Sequence, residues 1–267
     1  VVEEGGRAGR LHARGVPAKQ RLHVAALLIV VALAAGPLEA QSDIDFDANL
    51  SPEQFTLFSR LVAQSIYPTP VEPARARGIL GFDIGIAATA VPVDPNAAYW
   101  QRSTGDDDFT VSDHLVVPRL VLSKGFSLFT VSGTYAKVQG TNIDVVGGSL
   151  DIPIVSGGLV KPAIALRGAY SQLRGVEDLE LKTYGAELFV SKGFGPVTPY
   201  AAIGKMTSDA EGITRDPTVL PVEPFRDESR MTRITVGVKV SLLVPKLVVE
   251  ATQAEERSYA AKISFGL

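Results

Sequence analysis

The chain of 267 residues has no cysteine, one tryptophan and three histidines. Without thiols it can form neither disulfides nor thiolate metal sites. Two of the histidines, His12 and His23, precede residue 40, so His114 is the only imidazole in the rest of the chain. Charge is also scarce in one sense: 26 Lys and Arg oppose 29 Asp and Glu, for a net of −3. That balance leaves no basic footprint for nucleic acid. The 25 Gly and 17 Pro follow no fixed period, which excludes a collagen-like chain. No Walker-type loop, dinucleotide fingerprint or metal-ligand spacing is present. One apolar run stands out, residues 22–35, and it is too short to cross a bilayer comfortably as a helix.

That run has the makings of a signal peptide. Arg7, Arg10, Arg14, Lys19 and Arg21 precede it, and Gly36-Pro37-Leu38-Glu39-Ala40 follows it with a helix break and a small residue. Residues 1–40 are therefore expected to be a leader cleaved after Ala40. The alternative is an uncleaved anchor.

Residues 41–77 read differently. Ser51-Pro52-Glu53-Gln54 is a helix start, with Ser as N-cap, Pro at the first position and Gln at the third. Phe55, Phe58, Leu61, Val62 and Ile66 then recur at helical spacing on one face. Pro68, Pro70 and Pro73 end the helix and impose an extended tether. This predicts a short amphipathic helix over 52–66 and a linker, on the periplasmic side. Such a helix would plug the periplasmic mouth of a barrel, lie on the inner leaflet or contact a periplasmic partner.

From Gly78 onward no helix is expected and period two dominates. Phe82, Ile84, Ile86 and Ala88 alternate with Asp83, Gly85, Ala87 and Thr89; Ile234, Val236, Val238 and Val240 alternate with Arg233, Thr235, Gly237 and Lys239. Ten such segments are predicted: 79–91, 114–123, 127–138, 143–155, 160–173, 179–191, 197–208, 230–242, 247–255 and 258–267. Most have the length a tilted strand needs to cross a hydrocarbon layer.

Alternation alone also fits a soluble β-sandwich or a lipocalin-like barrel. Connection lengths favour a membrane barrel. Both long connections, 92–113 and 209–229, fall on one side, and tight turns such as Lys124-Gly125-Phe126 and Lys192-Gly193-Phe194-Gly195 fall on the other. Short periplasmic turns and longer external loops are the outer-membrane pattern. Under that topology, aromatic side chains of outward parity form two bands: Phe129, Tyr200 and Phe265 toward the periplasm, and Tyr135, Tyr170, Tyr184 and Tyr259 toward the outside.

The chain closes on Ser258-Tyr259-Ala260-Ala261-Lys262-Ile263-Ser264-Phe265-Gly266-Leu267. This resembles the C-terminal strand of small bacterial outer-membrane β-barrels, though it ends on Leu267 with Phe265 two residues earlier. The resemblance is to a class and assigns no activity. It implies an all-β, closed antiparallel transmembrane barrel of about 10 strands (8–12) over 78–267, in the outer membrane of a Gram-negative-type bacterium. It further implies outer-membrane lipid and, through the last strand, the barrel assembly machinery as partners.

Inward parity collects Asp83, Arg119, Asp151, Arg167, Glu187, Lys239, Glu250 and Lys262, whose signs alternate in strand order. Alternation favours mutual pairing between neighbouring strands, Glu187 with Arg167 or Lys239 and Asp83 with Lys262 or Arg119. A lumen occluded by paired charges is expected; a narrow gated pore and a ligand tunnel are the alternatives. The leading functional reading is a structural or narrow-pore transport barrel with no cofactor and no nucleic-acid partner. A lipid-active rim enzyme using His114, and a soluble periplasmic ligand-binding barrel, are the competing classes. Asp106-Asp107-Asp108 reads as a solvated acidic loop.

The leader generates the first prediction. The mature protein is expected to begin near Gln41, and terminal-peptide mass spectrometry of the envelope fraction should recover that end; an intact 22–35 segment there would refute it.

Overall fold

The computed structural model describes residues 44, 46–47, 49–70, 72–73, 78–104, 113–137, 142–158, 160–213, 224–242 and 244–266. The expected leader, the acidic triplet at 106–108 and Leu267 lie outside the described residues. Ten strands are present: β1 Phe82–Pro92, β2 His114–Gly125, β3 Thr130–Lys137, β4 Asp144–Val155, β5 Ala163–Arg174, β6 Leu179–Ser191, β7 Val197–Gly212, β8 Phe225–Ser241, β9 Lys246–Gln253 and β10 Arg257–Gly266. Each pairs antiparallel with its sequence neighbours, and β1 pairs with β10 from Asp83↔Gly266 to Ala90↔Tyr259. The sheet is therefore a closed barrel, and closure removes the two edges that an open sheet would expose.

The second long connection is shorter than the sequence implied. Strand β7 runs on to Gly212 and β8 begins at Phe225, so these two outlast the rest of the wall. The first long connection contains a helix that period-two reading missed, α2 at Ala98–Thr104. It is seven residues long and has no apolar face of its own length, so it carries little periodic signal. It is fixed by packing, with Trp100 buried against Phe58 at a ring separation of 5.6 Å.

Helix α1, Pro52–Ile66, forms as its caps dictate. The Ser51 hydroxyl accepts from the Gln54 amide at 3.3 Å, and the Gln54 side chain accepts from the Ser51 amide at 3.1 Å. The Glu53 carboxyl, at the exposed start of the helix, is held below its ordinary value by a backbone amide and the Ser51 hydroxyl. The helix lies inside the barrel, at the end that carries the long connections. Phe55, Phe58, Leu61, Val62 and Ile66 pack on Leu173, Leu181, Met206 and Met231, whose side chains line the upper lumen. The inward face is thus apolar in this half of the barrel, which gives α1 a surface to bury against. Gly212 leaves the space that the Phe55 ring fills: a Cβ there would stand 2.4 Å from the ring.

Phe58 is fully buried and packs on both Phe46 and Trp100, at ring separations of 5.8 and 5.6 Å. Phe58→Ala should cost about 3–5 kcal/mol of plug stability. Limited proteolysis in detergent should then cut within 44–70 while the strands stay intact; equal resistance in both proteins would refute the packing argument.

Candidate functional site: a plugged lumen and an apolar outer belt

Below the apolar layer the lumen becomes charged, and α1 ends there. Around its end stand three arginines from three parts of the wall. Arg119 of β2 donates from Nη2 to Ser65 O at 2.6 Å and from Nη1 to Tyr67 O at 2.7 Å. Arg167 of β5 donates from Nη2 to Pro68 O at 3.0 Å. The Arg233 guanidinium of β8 stands over the Tyr67 ring, 4.3 Å from its centre. Cations at the C-terminal end of a helix meet its negative pole and its unpaired carbonyls at once.

The acids of this layer complete the arrangement. Glu187 of β6 binds Arg233 Nε at 3.1 Å and accepts from the Tyr67 hydroxyl at 3.3 Å. Strand β7 lies between them, and Gly204 is the residue in register with both. A Cβ at Gly204 would come within 2.6 Å of Glu187 Cγ, so its absence lets the carboxylate lean across to β8. Gly185 does the same for the Tyr67 hydroxyl, 2.7 Å from where a Cβ would stand. Glu250 of β9 accepts from the Tyr200 hydroxyl at 2.8 Å.

Lower still, the linker after α1 continues down the lumen. Thr69 shares a hydroxyl contact of 2.6 Å with Thr89 of β1. Glu72 meets Lys239 at 3.0 Å and also Lys262. Asp83 meets Lys262 at 3.2 Å and Lys246 at 3.1 Å. Residues 46–73 therefore thread the barrel from the long-connection end to the short-turn end.

The outer surface is organised independently. On β7 the outward residues are Val197, Pro199, Ala201 and Ile203, then Lys205, Thr207, Asp209 and Glu211; on β8 they are Val240, Val238, Val236 and Ile234, then Thr232, Arg230, Glu228 and Arg226. The other strands follow the same order from the short-turn end. The apolar part covers five to nine residues per strand, at most roughly 20 Å once tilted, near the ~25 Å band of membrane barrels. Tyr135, Tyr170, Tyr184 and Tyr259 are the last outward residues before a polar one, and each is about half exposed. At the other margin stand Phe82, Phe126, Phe129, Phe194 and Phe265.

No protein-family model matches the chain, and no curated protein matches it. Among solved structures it is similar to the N-terminal β-barrel domain of Pseudomonas aeruginosa OprF, at 12% identity and TM-score 0.34, over 69% of this chain and 97% of that one. It is also similar to Ail, the attachment invasion locus protein of Yersinia pestis, at 12% identity and TM-score 0.28, over 70% of this chain and 95% of that one. Neisserial surface protein A matches at 10% identity and TM-score 0.28, over 69% and 96%.

All eight charges named from inward parity face the lumen, Asp151 and Lys239 with partial access to water and the others buried. Their partners differ in part from the expectation. Asp83 does meet Lys262, and Arg167 meets Asp151 at 3.7 Å. Glu187, however, pairs with Arg233, although Arg167 is its partner in register. Lys239 turns to Glu72 of the linker, and Arg119 turns to backbone carbonyls. Strict alternation of sign overlooked Arg233, Lys246 and Glu72. Tyr200 is a second correction: it faces the lumen, 5% exposed, and not the girdle. Strand β7 is apolar or small on both faces near this point, so parity is ambiguous in sequence. Gly237 on β8 decides it by leaving room for the ring, 2.3 Å from where a Cβ would lie. Phe82, Phe126 and Phe194 were missing from the predicted band, the last two because they sit in turns. His114 is exposed at the rim opposite Pro92, with no hydrogen-bond partner among the described residues.

The Glu187–Arg233 pair is almost fully buried. Glu187→Gln and Arg233→Gln should each cost about 3–5 kcal/mol, since each strands the other charge. The double variant should fall short of their sum by about 1–3 kcal/mol in detergent unfolding. Strict additivity would mean that the two do not interact.

Proposed function

We propose that the protein is an outer-membrane β-barrel sealed by its own N-terminal segment, with a structural or ligand-holding role in the cell envelope and no resting pore. The observation that carries this reading is the apolar belt. A closed barrel that exposes Ile86, Leu120, Leu166, Leu188, Ile203, Val236 and Val249 around its girth needs an apolar surrounding. Amphipathic rings suit the two margins of such a belt. The same belt argues against the soluble periplasmic barrel. The long connections face outward and the short turns face the periplasm, so residues 46–50 stand at the external mouth. Strand β10, which closes the barrel on β1, is the element offered to the assembly machinery. Burial of α1 withdraws its apolar face from any periplasmic partner, and among the described residues His114 has no hydrogen-bond partner to serve a rim enzyme as a second group.

Refolded protein should migrate differently on gels before and after heating and should be silent in planar bilayers. Val236→Arg, at mid-belt, should weaken folding into lipid vesicles by roughly 2–4 kcal/mol. Glu228→Lys, beyond the upper margin, should have little effect. A stable water-soluble monomer, or equal effects of the two substitutions, would overturn the reading.

A further inference from the structure

The described part of the plug, through Pro73, fills the upper and middle lumen and leaves space in the lower part. Beneath Pro68 and Pro70 lies a cavity of about 610 Å³, open toward the short-turn end and closed above. This is within the usual range for a small-molecule site, about 300–1,000 Å³. Its two walls differ. One, from β8 to β10, carries Lys239, Lys246 and Lys262; Lys239 and Lys262 are both in register with Val248, and Lys246 is one step lower. The other, from β2 to β5, carries hydroxyls and the Asp151 carboxylate, which pairs with Arg167. Ser123 and Ser132 bond each other at 2.8 Å, but Thr130 Oγ1 and Ser149 Oγ, each more than nine-tenths buried, have no partner. Arg167 Nε, at the roof, makes no hydrogen bond and faces the Asp151 carboxylate at 3.7 Å.

Among the described residues the lysine wall is met by two carboxylates, Glu72 and Asp83, shared among three cations. Asp83 is fixed on β1. Glu72 is not part of any strand or helix; it reaches the lysines from the linker between Pro70 and Pro73 and keeps some access to water. Its carboxylate is a tethered oxyanion held against Lys239 and Lys262.

We propose that the lower lumen binds a small hydroxylated oxyanion of the sugar-phosphate class. Its phosphate meets Lys239, Lys246 and Lys262 in place of the Glu72 carboxylate, and its hydroxyls meet Thr130 and Ser149. The site lies inside the closed wall, so a soluble phosphate ester reaches it and an acyl lipid does not. Binding releases Glu72, the lowest contact of the threaded segment, and so couples ligand to plug. The inference does not depend on where the barrel resides.

The test is calorimetric titration of the full chain, refolded in non-ionic detergent at low salt, with glucose 6-phosphate, inorganic phosphate and glucose. Glucose 6-phosphate should bind best, phosphate more weakly, and glucose not at all. Glu72→Gln removes the internal competitor and should tighten glucose 6-phosphate about 5–10-fold; binding detectable only in this variant supports the proposal equally. Lys239→Gln, at a partly accessible position, should weaken it at least tenfold. Ser149→Ala should affect glucose 6-phosphate and spare phosphate. Heat-dependent gel migration verifies that each variant is folded. Phosphatidylglycerol in the micelles should not compete. The proposal is overturned if neither wild type nor Glu72→Gln binds, if Glu72→Gln leaves affinity unchanged, if Lys239→Gln binds as wild type does, if glucose binds as well as its phosphate, or if the lipid competes.

Discussion

Three arginines around the end of one helix set the terms for the rest of this molecule. Arg119, Arg167 and Arg233 are buried at mid-barrel, where an uncompensated cation would be costly. The wall supplies Asp151 and Glu187. The remainder comes from the chain inside: carbonyls of Ser65, Tyr67 and Pro68, and the ring of Tyr67. Conversely, the C-terminal carbonyls of α1 have no helical partner and need donors. Plug and wall therefore each supply hydrogen bonds that the other needs, while Arg119 Nε, Arg167 Nε and both terminal nitrogens of Arg233 make none.

This dependence divides the lumen into layers. The upper layer is apolar and takes the amphipathic face of α1. The middle layer holds the arginines, and the lower one keeps hydroxyls and lysines around open space. Glycines mark the crossings: Gly212 under Phe55, Gly185 under Tyr67 and Gly204 under Glu187.

The outer surface and the strand pattern were legible in the sequence to within a few residues. All ten predicted segments coincide with strands, and Tyr135, Tyr170, Tyr184 and Tyr259 lie on the outward face. The reason is local: on a strand, alternate side chains face opposite ways whatever the partner. The failures have a common cause as well. Tyr200 was misplaced where both faces of β7 are small or apolar. Helix α2 was missed because seven residues carry no clear period. Arg233 escapes a rule of alternating sign along the barrel, because Gly204 lets Glu187 reach past its neighbour.

By itself the sequence determined the strands, their inward and outward faces, the unequal loops and a capped helix at Ser51, because each depends on residues close together in the chain. The tertiary structure decided where that helix goes, which lumen charges meet and where space remains. Those outcomes depend on distances across the barrel, between residues such as Glu72 and Lys262 or Arg119 and Tyr67. Spacing along the chain does not encode such distances; they exist only once β10 has paired with β1 and the wall has a fixed radius.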